Sequence, residues 1–144
     1  MQKVRASDCG VSACLGPGLS GQGGFLHLAL DQRWLLEARP LCWFCDQELE
    51  SADHILANCS FAREVWWGVL SSCHCQCSFP SNFSLQDWWA HLRQLQPLEH
   101  RKGLDSLFML TAWHLWKERN ARLFQHSSRS CLELQGAILQ EGFL

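Results

Sequence analysis

Cys42, Cys45, His54 and Cys59 are the residues whose types and spacing can do chemistry together. They read C-x2-C-x8-H-x4-C. Two thiols at C-x2-C spacing can clasp one ion from a single tight turn. A His and a Cys five residues apart can close the far side from one turn of helix. Three thiolates and one imidazole around a tetrahedral ion make a structural zinc site, with every position taken by a protein ligand and none left for a catalytic water. The alternative is a set of buried free thiols. It gives no reason for the His, or for the polar run from Asp46 to Asp53 between the two halves.

The elements that must position these ligands are helical. Ser51 is a suitable N-cap, and Asp53 falls in the first turn, where the helix dipole favours an acid. That places His54 on a short helix facing the Cys42–Cys45 turn. Ser60 can cap the next helix, whose Phe61, Val65 and Val69, with Ala62, Trp66 and Leu70 beside them, form an apolar face. Ser84 and Asp87 match a capping pattern that opens a helix to about Leu95, striped by Trp88, Trp89 and Leu92 and ended by Pro97. Gly103 to Phe124 is the longest helical signal. Leu104, Leu107, Phe108, Thr111, Leu115 and Trp116 line one side, and Glu118 and Arg122 form an i, i+4 pair. Residues 127–130 read as a loop and Cys131 to Leu139 as a final amphipathic helix.

Upstream, residues 1–24 are rich in Gly and Ser and read as a flexible lead-in. Phe25 to Arg39 reads as a short helix carrying Leu26, Leu28, Leu30, Trp34, Leu35 and Leu36, stopped by Pro40. The expected fold is therefore mainly α: a small helical domain organised around a CCHC zinc knuckle, with a flexible N-terminal lead-in. The expected units are 1–24, then 25–126 with the knuckle and following helices, then the loop and C-terminal helix of 127–144. Cys73, Cys75 and Cys77 are either a Cys-rich loop or part of a second metal site that needs a distant partner.

A chain of 144 residues with eight Trp and eight Phe can bury a modest core. Nine cysteines, an odd count, combined with a C-x2-C pair, point to a reducing compartment, nuclear or cytoplasmic, more than to a disulfide scaffold. The stretch from Cys9 to Leu30 is too rich in Gly, Ser and Pro for a membrane helix, so no membrane is expected. The net charge of −2 hides an asymmetry: Glu37 to Glu64 holds six acids against two bases, and Arg93 to Arg129 seven bases against three acids. The basic half can meet phosphates, or it can neutralise the acidic half within one fold.

Two stretches resemble a known family. Arg39-Pro-Leu-Cys-Trp-Phe-Cys-Asp, followed by Glu50-Ser-Ala-Asp-His-Ile-Leu-Ala-Asn-Cys-Ser-Phe-Ala-Arg-Glu-Val-Trp66, resembles the reverse-transcriptase zinc-binding domain of plant non-LTR (LINE-type) retrotransposons. Leu85-Gln-Asp-Trp-Trp89 and Trp113-His-Leu-Trp-Lys-Glu-Arg-Asn-Ala-Arg-Leu-Phe124 are similar to segments that follow the knuckle there. The resemblance implies that Cys42, Cys45, His54 and Cys59 are the metal ligands. It departs at residues 1–24, in the lead-in helix and in the Cys73–Cys77 tract, and no paired Asp for catalytic magnesium is found.

These readings lead to a non-catalytic zinc module that binds RNA or DNA. Lys117, Arg119 and Arg122 are the expected phosphate contacts, and Trp43 or Phe44 the ring for base stacking. The alternative is a protein-interaction or structural remnant in which zinc holds the fold. No Ser, His and Asp stand at a spacing that makes a nucleophile, so neither an enzyme nor a small-molecule substrate is expected.

Overall fold

The molecule was analysed as a computed structural model that describes residues 41–143. The expected lead-in of 1–24, the helix from Phe25 to Arg39 and its stop at Pro40 lie outside the described residues. Within them the chain is mainly helical. A Cys-bearing turn leads into a π-helical turn, His54–Asn58, and then into α1, Ser60–Ser72. Next come α2, Leu85–Leu95, a 3-10 turn at Leu98–His100, the long α3, Arg101–Phe124, and α4, Cys131–Gly142. One antiparallel bridge, Leu41 to Leu49, is the only β pairing among the described residues.

The caps follow the side-chain chemistry, with one correction. Ser51 Oγ accepts from the His54 N–H at 3.1 Å, and Ser84 Oγ from the Asp87 N–H at 3.1 Å. Ser60 is not the cap of α1. Cys59 takes that position in extended backbone and makes no side-chain cap bond, because its sulfur points into the Cys/His cluster. At α4, Ser130 and Glu133 exchange both bonds of a capping box. The helix starts at Cys131 and runs to Gly142, three residues beyond the expected end.

The core is built from the stripes. Trp66 is fully buried, with the Phe108 ring 4.6 Å and the Trp88 ring 5.0 Å from its own; the Trp88 contact is edge-on at 87°. Its indole N–H donates to the Leu56 carbonyl at 2.7 Å, so the helical core is bonded to the π turn that carries His54. α4 packs on α1 and α3 and adds Leu134 and Ile138 to the same core. Gly68 permits that approach: a Cβ there would collide with the Gln135 side chain, whose amide donates to the Glu64 carbonyl at 2.9 Å. His114, on α3, holds the far end of α4 through a 2.7 Å contact with Glu141.

Cys73 and Cys75 share a direction, as alternation requires, and that direction is the apolar core. His74 between them takes φ 54° as the chain leaves α1, and the Cys75 N–H donates to the Leu70 carbonyl. No helix among the described residues is long and apolar enough to cross a membrane.

Because Trp66 joins two ring contacts and a buried hydrogen bond, Trp66→Ala is expected to cost about 3–5 kcal/mol of unfolding free energy. Urea titration of the zinc-loaded protein measures this; a loss below about 1 kcal/mol would show that the ring cluster is not the core.

Candidate metal centre

The turn from Cys42 to Cys45 is closed by backbone bonds. The Cys42 N–H donates to the Glu48 carbonyl at 2.8 Å, and the Asp46 N–H donates to the Cys42 carbonyl at 2.9 Å. Asp46 has φ 60°, a left-handed conformation that Asp tolerates better than most residues. The turn aims both sulfurs inward, and the Phe44 N–H points at Cys42 Sγ from 3.3 Å. From the other side the π turn presents His54, and the start of α1 presents Cys59.

One ligand atom from each of the four residues lies within 4.8 Å of all the others. Cys42 Sγ and Cys59 Sγ are 3.8 Å apart, and Cys45 Sγ and His54 Nε2 are 3.3 Å apart. Two thiolates bound at Zn–S distances of about 2.3 Å in a tetrahedron stand about 3.8 Å apart, and a sulfur and an imidazole nitrogen about 3.6 Å. The donor set and its spacing therefore fit zinc. Glu48 reaches His54 Nδ1 at 3.3 Å. That contact suits the tautomer with its proton on Nδ1, which leaves the Nε2 lone pair for an ion. Sequence reasoning missed Glu48; its place in the polar run gave no sign that the chain would fold back on His54.

Without an ion, Cys42 and Cys59 compete for charge. Hydrogen bonding with Cys59 holds Cys42 well below the usual thiol range, against its burial. Hydrogen bonding with Cys42 and then burial push Cys59 far above it, against backbone N–H groups of Ala62 and Phe61 at the start of α1. Bound zinc supplies the positive charge that lets both sulfurs be thiolates at once.

The second arrangement around this centre is an ion pair. Glu50 and Arg119 have side chains 0% and 2% exposed. Arg119 Nη2 and Nε donate to Glu50 Oε1 at 2.7 and 3.1 Å, and Glu50 Oε2 accepts from the Trp43 N–H at 3.3 Å. Glu118, equally buried, accepts from Arg122 Nε and from the backbone and side chain of Arg129. Arg122 donates its remaining nitrogens to the Trp43 and Arg129 carbonyls. Its guanidinium lies 5.0 Å from the Phe44 ring and 4.5 Å from the Phe61 ring, which stack on each other.

These placements correct the expected phosphate contacts. Arg119 is inside the fold, and Arg122 spends its donors on the fold. Phe44 is stacked on Phe61 beside Arg122, so it does not present an open ring. Trp43 is half-buried. Lys117 stays at the periphery, its ammonium 5.5 Å from the Trp113 ring centre. The helical period carried the missed signal: Arg119 stands four residues after Leu115 and eight after Thr111, on the buried face of α3.

A closed cluster of three cysteines and one histidine in a small helical fold defines a zinc-binding domain. Residues 27–66 match the family described as zinc-binding in reverse transcriptase, which supports that reading for the part of the chain holding all four ligands. The matched family is a zinc-binding domain and not the catalytic polymerase. No curated protein and no solved structure matches the chain.

Cys45→Ser and His54→Ala are each expected to lose one equivalent of zinc and to lower the thermal midpoint sharply, since structural zinc contributes on the order of 10 kcal/mol in small modules. Zinc titrations and melting curves check this, and a midpoint unmoved by chelator would refute a structural ion. Affinity should fall as pH falls, because protons compete for the thiolates. Arg119→Ala, which strands a buried carboxylate, should cost about 3–5 kcal/mol in denaturant unfolding. The double variant Glu50→Gln with Arg119→Met should recover part of that loss.

Proposed function

We propose that the chain is a non-catalytic zinc module derived from a reverse transcriptase, in which Cys42, Cys45, His54 and Cys59 bind zinc and the outer surface binds RNA or DNA. The observation that carries it is the convergence of four protein donors into a closed set, which leaves zinc no open position for substrate or catalytic water. The family matched over residues 27–66 supports the lineage. The nucleic-acid surface is smaller than the charge pattern suggests. It centres on Lys117 beside Trp113, an indole 39% exposed on the outward side of α3. A ring and a cation together suit a single strand, which offers bases to stack and phosphates to pair.

A second reading, a surface for a protein partner, is favoured by the spent cations. Arg93, Arg119, Arg122 and Arg129 all pair with carboxylates of this chain. Trp67 and Leu132 meanwhile stand 58% and 77% exposed.

The deciding experiment is binding of the zinc-loaded protein to labelled single-stranded RNA at two salt concentrations. Lys117→Glu should weaken binding and reduce the salt slope by about one, and Trp113→Ala should weaken it further. No binding at low salt by protein shown to hold its zinc would discard the nucleic-acid reading in favour of the protein partner.

A further inference from the structure

Arg63, on α1, differs from the four arginines that pair with carboxylates: no carboxylate among the described residues meets it. Its Nη2 donates to the Pro80 carbonyl at 3.0 Å, and its Nε is buried without a partner. Glu64, the next residue, turns instead to the Cys131 thiol on α4. Nη1 is thus left for an acceptor from outside the chain. Charge counting hides this cation, because it lies in the acidic stretch from Glu37 to Glu64.

One turn further along α1 stands Trp67, 58% exposed. Residues four apart share a helix face, with Cβ atoms about 5–6 Å apart. The Phe79 ring centre lies 6.4 Å from that of Trp67, and Phe79 rests in turn on the buried Trp88, 5.5 Å away. The segment that bears Phe79 is tied on both sides. The Trp88 indole N–H donates to the Ser78 carbonyl at 2.8 Å, and Arg63 holds the Pro80 carbonyl. Cation, exposed ring and supporting ring therefore sit on a fixed frame, so a ligand arriving there has little left to order.

We propose that Arg63 and Trp67 form a second contact for single-stranded nucleic acid, with a phosphate on Arg63 and a base stacked on Trp67. The proposal rests on the nucleic-acid reading, but it places the contact on α1 and not on α3 with Lys117. Charge complementarity selects the occupant. A guanidinium fork matches the oxygens of a phosphate, and an indole accepts the face of any base. An exposed ring by itself suits an apolar protein face. An unspent cation one turn away does not, because covering it with apolar surface strips its hydration and returns no partner.

The test is binding of fluorescein-labelled oligouridylate to the zinc-loaded full chain, followed by anisotropy at two salt concentrations. Trp67→Ala is expected to weaken binding about tenfold. Arg63→Gln is expected to weaken it and to reduce the salt slope by about one. Both variants should keep the cobalt-substituted spectrum of the knuckle. Unchanged affinity in Trp67→Ala overturns the second contact; if Lys117→Glu still weakens binding, the nucleic-acid reading stands without it. No binding by the wild type at low salt overturns both. If Arg63→Gln loses its cobalt spectrum, Trp67→Ala decides alone, since an exposed ring can be removed without disturbing the frame: weaker binding supports the contact and unchanged binding overturns it. A Glu–Tyr copolymer that binds the wild type where the RNA does not, and is lost in Trp67→Ala, assigns the patch to an acidic protein and overturns the proposal.

Discussion

The carboxylate of Glu50 is fully buried, and the rest of the structure depends on how that charge is met. A carboxylate so placed costs several kcal/mol in desolvation unless it is paired and hydrogen-bonded. Its partner, Arg119, stands 69 residues away on α3. Satisfying one charge therefore brings together two distant parts of the chain: the stretch that follows the turn with Cys42 and Cys45, and the last turns of the longest helix. The pair is weak evidence for stability, since apolar residues of similar size can do as well. What it enforces is register, because Glu50 can meet Arg119 only when α3 lies in one position against the knuckle.

The metal cluster and the ion pair act in series. Zinc in the cluster would order residues 42–59, a stretch with few large apolar side chains of its own and much polar backbone. That order places Glu50 four residues before His54, facing inward. Trp66 continues the connection by bonding the Leu56 carbonyl while packing on Trp88 and Phe108. Of the cluster, Cys59 caps α1, and Trp66 lies about two turns further on in that helix. A change at the cluster therefore reaches the core through a single short helix.

The basic half of the chain illustrates how charge counts mislead when a fold is small. Arg119 pairs with Glu50, Arg122 and Arg129 pair with Glu118, and the two sets meet at Trp43, whose N–H donates to Glu50 and whose carbonyl accepts from Arg122. One pair, Arg119 with Glu50, crosses between the basic and acidic halves; Arg93, Arg122 and Arg129 meet carboxylates of the basic half itself. Arg122 also covers Phe44 and Phe61, two rings that otherwise suit base stacking. Outside that set stand Lys117 with Trp113 on the outer side of α3, and exposed rings such as Trp67.

The Cys/His cluster, the four helices and most core positions were legible in the sequence, for a local reason. C-x2-C and H-x4-C spacings, caps such as Ser51 and Ser84, and 3.6-residue stripes all act within a few residues. The fate of the charges was not legible. Whether Arg119 faces phosphate or Glu50 depends on a contact spanning 69 residues, and a charge total is the same either way. Cys59 as the cap of α1, and Glu48 behind His54, likewise depend on how the turn folds back. Local periodicity specified which face of α3 turns inward; only the tertiary structure decided that two charged residues on that face find their partners there.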